Sequence, residues 1–199
     1  MRTTLALVAG LASLAPVSAQ KYKNASAPGY DNYPTPIPST VTNSSLSFGC
    51  HYAVLNLDLI TGLVSPYASE PAGQAFIKNM ARWIDTVHAL DQPPLTIFTR
   101  IYFANANKPE VKPGSGFQKI TAALTTEDQA ATKVYPAFNV SESAGDVTLQ
   151  KTRYYAGTGN TLEQILRDQS IDTVVLSGTR TSGVILSTAY RLFDLDYNV

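Results

Sequence analysis

Residues 178–189 read GTRTSGVILSTA and follow the apolar run Thr173-Val174-Val175-Leu176-Ser177. A helical pattern continues from this stretch to about Leu195. An apolar strand, a glycine-containing turn and a helix describe the end of a parallel strand in an α/β sheet. In such sheets ligands bind beyond the carboxyl ends of the strands, where N–H groups at a new helix N-terminus face the crevice. The stretch therefore predicts a fold class and the sheet edge at which a site is built.

Upstream, strand and helix patterns alternate. Tyr52-Ala53-Val54-Leu55-Asn56-Leu57-Asp58 is nearly all apolar, as a strand buried on both faces must be, and it closes in a carboxylate. Glu70-Pro71 opens a helix, because proline suits a first helical turn. Phe76, Ile77, Met80, Ile84, Val87 and Leu90 then recur at helical spacing and make one apolar face. Pro93-Pro94 stops that helix ahead of a second strand over 95–103. A loop rich in Pro and Gly fills 104–116, a short helix is predicted over 117–124, and Thr126-Glu127-Asp128-Gln129 reads as the start of another.

The third strand, 146–151, ends in Lys151. After a turn at 157–160, Thr161 is placed to cap a helix through Asp168. The fourth strand spans 171–177 and the last helix 182–195. Strands alternating with helices imply βαβ units and a parallel sheet in one domain, here 48–199. Tyr197 to Val199 reads as the first turn of a fifth strand.

The amino-terminal 47 residues differ in kind. Met1-Arg2, an apolar run from Leu5 to Val17 and Val17-Ser18-Ala19 before Gln20 describe a secretory signal peptide, 1–19, cleaved after Ala19. The run is too short for a bilayer, which needs about 20 apolar residues, and no later stretch suits one. Residues 20–47 are rich in Pro, Ser, Thr, Asn and Tyr and are expected to form a flexible arm. N-x-S sequons at Asn24, Asn43 and Asn139 fit a secreted, extracellular glycoprotein. Cys50 is the single cysteine, so the fold rests on its core and not on a disulfide.

Charge narrows the partners. The chain carries 15 Lys+Arg and 15 Asp+Glu, for a formal net charge of zero, with no basic patch of interleaved aromatics. Nucleic acid is not expected as a partner. The two histidines, His51 and His88, have no metal-ligand spacing, so no metal or cofactor is expected and His88 reads as an ordinary helix residue. There is no G-x-S-x-G elbow, and Gly157-Thr158-Gly159 lacks the remainder of a phosphate loop.

Asp58 and Lys151 remain. Taken singly, Asp58 reads as a turn carboxylate and Lys151 as a solvated lysine at a strand end. At the carboxyl ends of two strands of one parallel sheet, they read together as a buried acid–base pair.

These three segments resemble those of the isochorismatase-like cysteine hydrolases, a superfamily of isochorismatases, nicotinamidases and N-carbamoyl amide hydrolases. Residues 53–59 (AVLNLDL) are similar to the strand whose closing aspartate is catalytic, 149–162 to the lysine strand and its following turn, and 173–189 to the block that carries the cysteine nucleophile. The resemblance implies a three-layer α/β/α Rossmann-like sheet and the roles of catalytic Asp58 and Lys151. It departs at two points. Val184 stands where the cysteine belongs, and a side chain without a lone pair cannot open a covalent route. The last two strands of the six-stranded family sheet, in order 3-2-1-4-5-6, have no counterpart before Val199. The expectation is of a fragment, a shortened product or a sheet completed by a partner, including a homo-oligomer.

Ile60 stands where the family has a glutamine, and the metal ligands of nicotinamidases have no counterpart, which argues against that activity. Ser182 is close to Val184 but has no base beside it. The turn thus becomes a wall of the pocket, with Arg180, Thr181, Ser182 and Gly183 as substrate-binding residues and Arg180 suited to an anion. In the family, isochorismatases hydrolyse a vinyl ether and can lack the cysteine. The resemblance implies a hydrolase of a small metabolite with Asp58 as acid and Lys151 as the cationic partner that tunes it and holds the substrate's carboxylate. The other readings are a pseudoenzyme or binding module that keeps the pocket, and an interaction protein that uses an open sheet edge.

Overall fold

The computed structural model describes residues 51–199. The signal peptide 1–19, the arm 20–47, Asn24, Asn43 and Cys50 lie outside the described residues. Four strands form one parallel sheet: β1 (Tyr52–Leu57), β2 (Leu95–Ile101), β3 (Val147–Lys151) and β4 (Thr173–Gly178), in the order β3-β2-β1-β4. Leu55 of β1 pairs with Ile97 of β2 on one side and Leu176 of β4 on the other. The carboxyl ends of β1, β2 and β3 come into line, because Leu57 pairs with Thr99 and Ile101 with Lys151.

Helices cover both faces. The helix α1 (Thr61–Val64) and the long α2 (Pro71–His88) follow β1, and Pro71 occupies the first helical turn as its fixed φ favours. Met80 and Ile84 of α2 meet Phe98 of the sheet, while Val87 meets Val54 and Val175. On the opposite face α4 (Leu162–Asp168) and α5 (Leu186–Phe193) set Leu162, Leu166 and Leu192 against Ala53, Leu55, Leu57 and Val174. Each such aliphatic side chain contributes about 1.5–3 kcal/mol by leaving water. The result is three layers, α/β/α.

Several local expectations are corrected. The short helix α3 spans Gly116–Ile120, begun by Ser115, whose hydroxyl accepts the Gln118 N–H, and it ends before Leu124. Where a helix was expected from Thr126, the chain makes only a short turn at Ala130–Thr132, because the Thr132 hydroxyl donates back toward the carbonyls of Thr126 and Gln129. Thr161 stands at the cap position of α4 but its side chain makes no capping bond; the Asn160 side-chain oxygen accepts the Leu162 N–H instead, at 2.9 Å. The last helix begins with a wide turn, Thr181–Ile185, in which the N–H groups of Gly183 and Ile185 both reach the Arg180 carbonyl.

Beyond α5 the chain returns to the sheet. Asn198 makes one parallel bridge to Thr173, with the Val174 N–H donating to the Asn198 carbonyl at 2.7 Å. Tyr197–Val199 thus behaves as the start of a fifth strand beside β4. Among the described residues no helix is long and apolar enough to cross a membrane.

Candidate active site

Asp58 is the residue at which β1 leaves the sheet. Its φ is +55°, in the left-handed region that aspartate tolerates better than most residues. Its N–H donates to the Thr99 hydroxyl at 3.1 Å, and that hydroxyl donates to Asp58 Oδ1 at 2.7 Å. Backbone and carboxylate are therefore held by one threonine from the neighbouring strand. Asp58 Oδ2 stands 2.7 Å from Lys151 Nζ.

Lys151 is fully buried, so the solvated-lysine reading is overturned. Its ammonium has three protons and three acceptors: Asp58 Oδ2, the Arg153 carbonyl at 2.9 Å and the Tyr154 carbonyl at 3.1 Å. The chain supplies the two carbonyls by bending back just after β3. With every donor satisfied inside the protein, Lys151 has none left to hold a substrate's carboxylate, and that expectation is corrected.

Burial pushes the Asp58 carboxyl above its ordinary range, against the opposing pull of the Lys151 charge and of the hydrogen bonds from Lys151 and Thr99. Burial likewise lowers the Lys151 ammonium, opposed by the Asp58 charge and hydrogen bond. Burial therefore favours the neutral form of each group, while the 2.7 Å contact favours the charged pair.

Asp58 borders a cavity of about 300 Å³ at the carboxyl edge of the sheet. Arg180, Ser182, Gly183 and Val184 border it too, so the structure gathers five of the expected residues into one space. Thr181 faces a neighbouring cavity instead. Gly183 contributes room rather than a donor: its N–H is bonded to the Arg180 carbonyl at 3.1 Å, and a Cβ there would sit 2.9 Å from the Tyr154 ring. Among the described residues the Ser182 hydroxyl makes no hydrogen bond, so no base is bonded to it.

Three parts of the site escaped the sequence reading. Thr99 lies within a strand and only the register of β1 on β2 brings it to Asp58. Phe117 and Ile120 of α3 form an apolar wall, and Tyr154 meets Phe117 edge-on with ring centroids 5.6 Å apart. The Arg153 guanidinium lies over the Phe117 ring, 5.1 Å from its centroid, and donates to the Glu110 carbonyl at 2.7 Å. The polar residues after Lys151 were the available signal for this cap.

His88 is also more than a helix residue. Its Nε2 lies 3.0 and 3.1 Å from the two oxygens of Asp146, whose Oδ2 also accepts the Ser141 N–H at 2.8 Å. This cluster stands at the amino-terminal edge of β3, the opposite edge of the sheet from Asp58. Among the described residues no group of three or more His, Cys, Asp and Glu side chains is placed to hold a metal ion.

Residues 52–199 match the family model of the isochorismatase domain. No curated protein sequence matches the chain. The fold is shared with solved structures of low identity. An isochorismatase family protein from Burkholderia thailandensis superposes with a TM-score of 0.61 at 24% identity, over 75% of each chain. N-carbamoylsarcosine amidase from Thermoplasma acidophilum gives 0.59 at 20% identity, over 74% of this chain and 78% of that one. A pyrazinamidase/nicotinamidase from Streptococcus mutans gives 0.55 at 23%, over 73% and 81%.

Proposed function

The chain belongs to the isochorismatase family of hydrolases, and from that premise we propose that it hydrolyses a small anionic metabolite by acid–base chemistry at Asp58, without a covalent intermediate. The observation that supports this reading is a cavity-lining carboxyl paired 2.7 Å from a buried ammonium, with Val184, at the position where the resemblance puts the family's cysteine, on the same cavity wall.

The chemistry suits a vinyl ether. Protonated Asp58 donates to the terminal carbon of the double bond, leaving an oxocarbenium ion. Water adds to the cationic carbon, and the hemiketal collapses to a ketone and an alcohol. The proton released from water returns to the Asp58 carboxylate. Lys151 acts through Asp58: its positive charge steadies the carboxylate that exists between the two proton transfers. Thr99 fixes the carboxyl's direction. Arg180 is the cation on the cavity wall and takes the substrate's anionic group, with Ser182 and Gly183 shaping the wall beside it. Thr181 would act from the adjoining cavity.

Isochorismate tests the vinyl-ether chemistry, and small amides such as nicotinamide test the chemistry named in the two amidase neighbours. Ketone release from the vinyl ether and ammonia release from the amides by the purified protein are compared with those by Asp58→Asn. A general acid contributes about 10²–10⁴-fold, so the variant loses at least about a hundredfold. Equal rates for the two proteins would sink the enzyme reading. Val184 favours one other reading, a binding module that keeps the cavity and not the reaction, and saturable binding with no turnover by either protein is its signature.

We also propose that the protein is secreted and glycosylated. Asn139, the sequon within the described residues, is exposed on the loop that follows Phe138. A mass loss on enzymatic deglycosylation of the secreted chain, absent at that site in Asn139→Gln, is the check.

A further inference from the structure

A second cavity adjoins the first. It encloses about 310 Å³ between the first turns of α2, through Phe76 and Ile77, and the segment bearing Val64 and Tyr67. Leu63, Thr179 and Arg180 line both cavities, so these three residues form the partition between them. The walls are mainly aliphatic and aromatic. Their charged groups are Glu70 and Arg180, both exposed at the surface.

Arg180 makes no ion pair among the described residues, and its guanidinium carbon lies 5.9 Å from the centre of the Tyr67 ring. A guanidinium on the partition is within the lining of both spaces and can hold a carboxylate at their junction. Glu70 disfavours a second anion in the outer cavity. An uncharged apolar group is what the remaining surface accepts, and about 300 Å³ is the lower end of the range for a small-molecule pocket.

We propose that the second cavity binds the uncharged apolar arm of the substrate, whose carboxylate is held by Arg180 and whose reacting end lies at Asp58 in the first cavity. The substrate class is thereby narrowed to carboxylates that bear an apolar arm. The proposal rests on the reading of Arg180 as the anion anchor. Its test does not require turnover.

The full chain is titrated calorimetrically with straight-chain carboxylates from butanoate to decanoate. Affinity rises about fourfold with each added methylene until the cavity is filled. Ile77→Trp, which occupies the space, flattens the series. Phe76→Ala, which enlarges it, extends the gain to longer chains. Arg180→Gln weakens every member at least tenfold and leaves the slope in place. A flat series with the native protein overturns the proposal, as does a slope that neither Ile77→Trp nor Phe76→Ala alters, and unchanged affinity in Arg180→Gln removes the anchor. The slope persists in Asp58→Asn, so a failure of the hydrolase reading and a failure of the arm site are read separately.

Discussion

Lys151 Nζ and Asp58 Oδ2 lie 2.7 Å apart although their strands, β3 and β1, are not neighbours. The lysine reaches past β2, and Thr99 of that intervening strand holds the other carboxylate oxygen. One residue from each of three strands thus fixes one carboxyl group. The lysine's remaining protons go to the Arg153 and Tyr154 carbonyls, so in the proposed reaction its influence on a substrate passes through Asp58.

The pair's cost and benefit separate in a double-mutant cycle. Lys151→Met leaves a buried carboxylate and two carbonyls without a partner and is expected to destabilise the fold by about 3–5 kcal/mol. Asp58→Asn combined with Lys151→Met removes both charges and recovers most of that loss, since neutral replacements of a buried pair are often tolerated. Urea unfolding of the four proteins gives the coupling energy. Strict additivity would show that the two groups do not depend on each other.

The direction of the Asp58 shift sets the pH dependence. A group whose folded pKa lies above its unfolded value gives stability at low pH that is lost as pH rises through the folded value. The raised Asp58 carboxyl therefore makes the protein lose ground to Asp58→Asn as pH climbs out of the ordinary carboxylate range. Lys151, lowered by burial, gives stability that is present above the ordinary lysine value and lost as pH falls through its folded value. If Asp58 is the acid as proposed, the rate follows the same proton: turnover is expected to fall as pH rises through the Asp58 value, because the acid must be protonated. Lys151→Met removes the pull of the ammonium and moves this alkaline limb to higher pH. A limb that stays in place would exclude Asp58 as the titrating acid.

The His88–Asp146 contact is expected to be structural. It ties the end of α2 to the start of β3 and also receives the Ser141 N–H. Asp146→Ala strands those two donors and costs about 1–3 kcal/mol. Stability by urea unfolding should fall while kcat at Asp58 is unchanged. A drop in kcat without a change in stability would give this edge of the sheet a part in the reaction.

The architecture was legible because each strand of the sheet carries its own apolar run, and the order of strands follows from the family pattern. Asp58, Lys151 and Val184 were legible because each occupies a strand end or a helix start, where position along the chain implies position at the edge. Thr99 was not, because only sheet register distinguishes it from Thr96. The short helices were misjudged for a different reason. Ser115, Asn160 and Thr132 divert the backbone by side-chain hydrogen bonds whose partners are set by local geometry, and propensity does not report them. Arg180 was legible as a cation, but its place on a wall shared by two cavities exists only in three dimensions.

Val184 offers a direct probe of what the cavity can do. It is buried yet borders the same space as Asp58. Val184→Cys is close to isosteric and places a thiol beside the Asp58–Lys151 pair. Above the Asp58 value, where its carboxyl is ionised, the introduced thiol should be alkylated by iodoacetamide faster than in the same variant carrying Asp58→Asn, if Asp58 accepts its proton. Mass spectrometry of the labelled peptide gives the rate. Labelling that is indifferent to Asp58 would deny it the role of base.

Two glycines of the turn should respond in opposite ways to the same substitution. Gly178 has φ +130°, and a Cβ there would lie 2.0 Å from the Leu57 carbonyl oxygen, inside the pairing of β1 with β4. Neither backbone can move without opening the sheet, so Gly178→Ala is expected to cost on the order of 3 kcal/mol or more and to lower the thermal midpoint sharply. At Gly183 the added Cβ meets the Tyr154 ring at 2.9 Å. That ring is exposed and can swing aside, so Gly183→Ala should leave stability within about 1 kcal/mol of the native protein while reshaping the cavity wall. Substrate or carboxylate affinity, and not the unfolding midpoint, is then the quantity that changes. A Gly183→Ala protein as unstable as Gly178→Ala would mean that Tyr154 is fixed in place and that the cap over the cavity is rigid.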